Sequence, residues 1–384
     1  MSIHRFSFFR FTALAVFSAA LVASGEAQTD VSGPLILADQ GSFFVNEEVI
    51  NTDYPRGDDE NAPGQLVVNG MYVQFMVPQE QRQDALPVIM MHGSGHTGKT
   101  YEDTPDGRMG WAEYFVRQGF PVYVVDQVGR ARSSFDPTLI NQARLEYDAS
   151  LIPTPGQRGF TFESAWPVFR FGPEPMVWYE DTQFPKEALT EYGAQLVPNT
   201  ESTLPNQRES VDALAALLDQ LGPSILFVHS QSGTYGMGAV VARPNLVRAL
   251  VNVEGRCNLA QSGEEPADVD ADLVNRSFSR AALLTVYGDH VIGDAIWEPN
   301  RQGCVEAVDA ISERGGTAFN MDLPEQGLVG NSHMLMMDKN NIEVADLILA
   351  WIEENANLSA AGAQPAGGAD GEAGNGSTAG SESN

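Results

Sequence analysis

The sequence predicts an α/β protein with a mainly parallel central sheet and helices on both faces. Three observations carry this: short, wholly apolar runs, longer amphipathic stretches between them, and a regular alternation of the two. At 384 residues the chain has ample material for one large domain.

Taken in order, "GPLILAD", "GSFFVNEEV" and "GQLVVNGMYVQFMVP" read as strands broken by Gly and Asp turns. "LPVIMMHGSGHTG" is a continuous apolar run that empties into a glycine-rich loop, as a strand buried on both faces does. A helix, "GWAEYFVRQG", and a buried strand, "FPVYVVDQVGR", follow. From about Ala131 to Asn206 periodicity fades while prolines and aromatics accumulate, which predicts a lid insertion. Within it the rings from Phe160 to Trp178, Trp166 and Trp178 among them, are expected to line a pocket or to pack beneath the segment. Alternation resumes with the helix "RESVDALAALLDQLG", the strand "SILFVHS", a helix from about Gly233 to Ala242 and the strand "RALVNVEG". A polar insertion around residues 258–280 precedes "ALLTVYGDH", a helix ending before Gly315, "TAFNMDLPE" and the final helix "NNIEVADLILAWIEEN".

The two ends carry different messages. Arg5 and Arg10 precede the apolar run "FTALAVFSAALVA", and "GEA" supplies small residues before Gln28. Residues 1–27 therefore read as a cleaved signal, residues 28–357 as the folded domain, and residues 358–384 as a disordered acidic tail of Gly, Ala and Ser. This predicts a secreted or periplasmic protein with no membrane insertion once the signal is removed. In an oxidising compartment Cys257 and Cys304, the sole cysteines, are expected to form a disulfide. The charge is extreme: 22 basic against 51 acidic residues give −29, with lysine only at positions 99, 186 and 339. Such a surface repels nucleic acid and anionic membranes, which excludes both as partners, and leaves a homodimer open.

His92, His96, His229, His290 and His333 all fall at or just past the carboxyl ends of predicted strands, the edge where open α/β sheets bind ligands. A zinc cluster lacks support, since there is no H-E-x-x-H and no Cys/His ligand spacing; no metal and no cofactor are expected. At "ILFVHSQSG" the run resembles the G-x-S-x-G turn that exposes a nucleophilic serine, with Val228 in place of the first glycine. Ser230 directly follows the strand, whereas Ser232 belongs to the start of the helix. A serine needs a base oriented by an acid. His333 stands in the chain order for the base, and Asp289 and Glu254 compete evenly as the acid. Backbone N–H groups of Ser94 or Gly95, with that of Gln231, are expected to form an oxyanion hole.

With these residues assembled, the chain resembles a secreted α/β-hydrolase of the bacterial esterase 713-like group, from about Gly33 to Asn355. The likeness lies in "HGSGHTGKTYEDTPDGRMGWAEYFVRQGFPVYVVDQVGRARS", "HSQSG", "VNVEG" and "GNSHMLMMDKNNIEVADLILAWI". That group also departs from G-x-S-x-G. The resemblance implies the α/β-hydrolase fold and a triad of Ser230, His333 and Glu254, with Asp289 the alternative acid. It implies a serine carboxylic-ester hydrolase that takes a small-molecule ester through an acyl-enzyme. A lactonase or amide hydrolase with the same triad, or a non-catalytic binding protein on the same fold, are the rival readings.

Overall fold

The apolar runs come together as one sheet. The computed structural model describes residues 33–56, 60–152, 161–198, 206–257, 277–356 and 358. Its strands are β1 (Leu37–Val45), β2 (Glu48–Arg56), β3 (Glu60–Val68), β4 (Met71–Pro78), β5 (Val88–Met91), β6 (Val122–Val125), β7 (Ser224–His229), β8 (Val247–Val253), β9 (Ala282–Tyr287) and β10 (Ala318–Asp322). Eight of these form a sheet in the order β1-β4-β6-β5-β7-β8-β9-β10, and β2 pairs with β3 in a separate hairpin. β1 and β4, and β4 and β6, run antiparallel; from β6 to β10 every pair is parallel. Every residue of β5, β7 and β9 is buried, which is why those runs carry no polar alternation.

The helices are α1 (Lys99–Glu102), α2 (Trp111–Arg117), α3 (Thr138–Glu146), α4 (Phe162–Phe169), α5 (Leu189–Ala194), α6 (Asn206–Leu221), α7 (Ser232–Ala242), α8 (Trp297–Glu313) and α9 (Asn341–Asn355). Side chains alternate across the sheet into two cores. Val88, Met90, Ile225 and Phe227 meet α2 and α9 on one face; Ile89, Met91, Leu226 and Val228 meet α6, α7 and α8 on the other.

Two expectations are revised. The first two strands read from the sequence merge into one, because pairing with β4 continues through Asp39–Gly41 with a single register irregularity near Leu37. The aromatic part of the insertion belongs to the main core. Trp166, Phe171, Phe184 and Tyr192 are fully buried in the same cluster as α2 and α9. Trp166 donates its indole N–H to the Val177 carbonyl and packs on Phe171 and Trp178, so it lies beneath the segment; Trp178 is half-buried and stacks on Phe184. The expected signal, most of the polar insertion and nearly all of the tail lie outside the described residues. Among the described residues no helix is long and apolar enough to cross a membrane.

The anomalous Val228 is accommodated by its neighbour. Gly236, one turn into α7, faces it so closely that an added Cβ would lie 2.9 Å from Val228 Cγ1 and 2.7 Å from Leu250 Cδ1. The bulk that the usual turn forbids in the strand is here taken out of the helix. Gly236→Ala should therefore destabilise the fold by about 1–3 kcal/mol through overpacking, although alanine is the better helix former. Val228→Ala should remove the part of that penalty due to Val228, leaving the contact with Leu250 Cδ1. Urea unfolding of the single and double variants checks this, and an equal loss in both backgrounds would refute the size exchange.

Candidate active site

Three strand ends and the insertion build the site. β7 stops at His229, and Ser230 turns the chain into α7 with φ 55°, a left-handed conformation that side-chain-bearing residues adopt at a cost. The turn is pinned by the Ser230 N–H to the Val253 carbonyl at 3.0 Å and by the Gly233 N–H to the Ser230 carbonyl at 3.0 Å. Gly93, at the end of β5, passes so close that a Cβ there would lie 2.9 Å from Ser230 Cβ and 2.7 Å from His229 Nδ1. The glycine at that point of "HGSG" is thus a requirement of packing.

Ser230 is half-buried, whereas Ser232 is fully buried and committed. The Ser232 hydroxyl accepts the His229 N–H at 2.9 Å and lies within donating distance of the His229 and Met91 carbonyls. It fastens the start of α7 to β5.

Glu254 directly follows β8 with φ 52° and is fully buried. Its Oε2 lies 3.1 Å from His333 Nδ1 and accepts from Arg170 Nη1 at 2.7 Å. Oε1 accepts from Arg170 Nη2 at 2.6 Å and from the Gly288 N–H at 2.5 Å. Burial pushes this carboxyl upward, but Arg170 and His333 outweigh it and hold the pKa at about 2. Asp289, the alternative acid, faces elsewhere: its oxygens accept the His290 and Gly330 N–H groups.

His333 is fully buried and fixed from four sides. Its N–H donates to the Phe169 carbonyl, its carbonyl lies 3.0 Å from His229 Nε2, its Nδ1 meets Glu254, and its ring stacks on Trp297 at 3.9 Å. With Nδ1 donating to the carboxylate, Nε2 is the basic nitrogen; it is buried and takes no hydrogen bond from the described residues. Burial lowers the pKa of the ring, Arg170 lowers it further, and Glu254 opposes both. The loop that carries it is anchored by Asp338, which accepts from the Ser332 N–H, the Ser332 hydroxyl and Asn331 Nδ2. Arg108 adds bonds to the Met337 and Asp338 carbonyls.

Of the five histidines expected at the carboxyl edge, His96, His229 and His333 converge here, with ring centroids 6.4 Å apart for His96–His229 and 4.7 Å for His229–His333. His92 braces the base of the loop by accepting the Gln127 N–H. In that loop His96 Nδ1 donates to the Ser94 carbonyl, and His96 Nε2 accepts from the Tyr192 hydroxyl at 3.1 Å. The Gly95 carbonyl accepts the Val197 N–H, so the segment after α5 also holds this loop. Gln231 sits at the start of α7. His290 stands apart, stacked on Tyr179 at 3.6 Å. Asp181, Asp289 and His290 bring potential ligand atoms within 4.8 Å of one another, but both Asp289 oxygens are already used by backbone N–H groups.

Arg170, Tyr192 and Trp297 carry no motif and escape the sequence reading. The one signal for Arg170 is its setting, an arginine between two phenylalanines in a chain poor in basic residues.

No protein-family model matches the chain. A solved structure described as a novel bacterial esterase is 38% identical, with a TM-score of 0.76, and the match covers 84% of this chain and 98% of that one. The curated protein "Probable secreted lipase phiG" of a fungal species (strain ATCC 74256) is 28% identical over 376 residues, covering 84% of this chain and 96% of its own length.

Cys257 and Cys304 are bridged, which ties the segment three residues past Glu254 to α8. Replacing both by serine should cost about 2–4 kcal/mol, chiefly by freeing the unfolded chain. Chemical denaturation of the variant checks the magnitude; two free thiols in the non-reduced protein, read by mass after alkylation, would remove the bridge.

Proposed function

Since the chain belongs to the α/β-hydrolase esterase group, we propose that it is an exported serine carboxylic-ester hydrolase working through Ser230, His333 and Glu254. The observation that carries the reading is the buried line from Glu254 to His333 Nδ1, which leaves the basic Nε2 at the sheet edge where the strained Ser230 turn lies. In this mechanism His333 Nε2 takes the Ser230 proton as Oγ attacks the ester carbonyl. The oxyanion is met by the backbone N–H of Gln231 and of Ser94 or Gly95. Collapse expels the alcohol, which leaves with the proton held by His333, and an acyl-Ser230 ester remains. Water, deprotonated by the same nitrogen, then releases the acid. Glu254 stays ionised throughout and stabilises the imidazolium formed in each half-reaction. Ser232, engaged at the helix start, has no part in the chemistry. Export is supported by the secreted relative, the disulfide and the signal-like first residues.

Ser230→Ala should lower hydrolysis of a short-chain p-nitrophenyl ester by about 10⁴-fold or more, and a fluorophosphonate probe should label Ser230 in the parent protein alone. Full activity in Ser230→Ala would end this reading. Glu254→Gln should cost on the order of 10⁴ in kcat, while Asp289→Asn should cost far less. A more damaging Asp289→Asn would transfer the acid role to that residue.

A further inference from the structure

Arg170 lies at the C-terminal cap of α4 with φ 50°, and its side chain turns inward to be almost wholly buried. All three of its donor nitrogens are used: Nη1 and Nη2 grip the two oxygens of Glu254, and Nε donates to the Asp289 carbonyl at 3.0 Å. The preceding residue, Phe169, accepts the His333 N–H, and Val168 accepts the Trp297 indole N–H at 2.7 Å. Three consecutive residues of the insertion therefore hold the acid, the base and the ring on which the base stacks. We propose that Arg170 is a positioning residue: its two-point grip fixes Glu254 against His333 and keeps the histidine a free base in acidic medium. The inference rests on the reading of His333 as the base.

A carboxylate with no water around it retains its charge only if paired, and a planar guanidinium meets both oxygens at once. The same guanidinium offsets the field that would otherwise draw a proton onto His333. His229, from the end of β7, and His96, from the loop after β5, are driven toward the neutral form by burial. Asp294, before α8, favours the charged imidazole and so opposes Arg170. Tyr287 feels the charges of both Glu254 and Arg170, and Asp338 that of Arg170; burial drives the tyrosine well up and the aspartate up to about 7, toward their neutral forms. Arg170 is thus the cation set against Glu254 at this point.

The test uses the whole mature protein. His333 is followed by ring NMR titration in the Ser230→Ala background, which needs no turnover, and kcat/KM for a short-chain ester is followed against pH in the active protein. In the parent, His333 should titrate below the free-imidazole value of about 6.5. Arg170→Gln should raise that midpoint, and the acid limb of kcat/KM with it, by about 1 pH unit or more. Arg170→Lys, which keeps the charge but not the two-point grip, should leave the limb near the parent position while kcat falls. An unmoved midpoint in a folded Arg170→Gln protein overturns the proposal, as does a parent midpoint at or above 6.5, which can be read even if the variant does not fold. If the midpoint moves but the parent cleaves no ester, the pairing stands and the hydrolase reading fails.

Discussion

The structure depends on keeping one carboxylate charged while it is fully buried. Glu254 is fully buried and accepts four hydrogen bonds, two of them from a single guanidinium. Those partners come from the cap of α4, the turn after β9 and the loop before α9. Segments far apart in sequence must meet at this point, because any missing donor would leave buried charge unanswered. Both Glu254 and Arg170 have left-handed backbone, Arg170 as the residue that ends α4.

This changes what the long insertion is. A segment that merely covers a site can open without disturbing the machinery beneath it. Here Val168, Phe169 and Arg170 bond directly to Trp297, His333 and Glu254, while Tyr192 and Val197 hold the loop of Ser94 and Gly95. The insertion supplies part of the site's frame, and its aromatic residues are buried with the main core for the same reason.

Much of this was legible in the sequence because local chemistry demanded it. The wholly apolar β5, β7 and β9 announced a parallel sheet, and the scarce histidines marked the carboxyl edge. Ser232 was separable from Ser230 by its place in the helix start. What escaped had no local signature. Nothing near Arg170 says that it reaches Glu254, 84 residues on. The merging of two expected strands into β1 is decided by its partner β4. Val228 looked like a defect because its compensation, Gly236, lies in the following helix rather than in the motif. Position alone does not distinguish Glu254 from Asp289, since both follow strands; in the structure Glu254 meets His333 Nδ1, whereas the Asp289 oxygens accept the His290 and Gly330 N–H groups.

The disulfide has a consequence beyond holding Glu254's neighbourhood. Cys257 and Cys304 are 47 residues apart, and the covalent ring they close contains the polar insertion and all of β9. A protease that cuts once anywhere inside that ring breaks the chain but releases nothing: the two pieces remain one covalent molecule. Whatever peptidase the chain meets, the bridge turns a cut inside this ring into a nick.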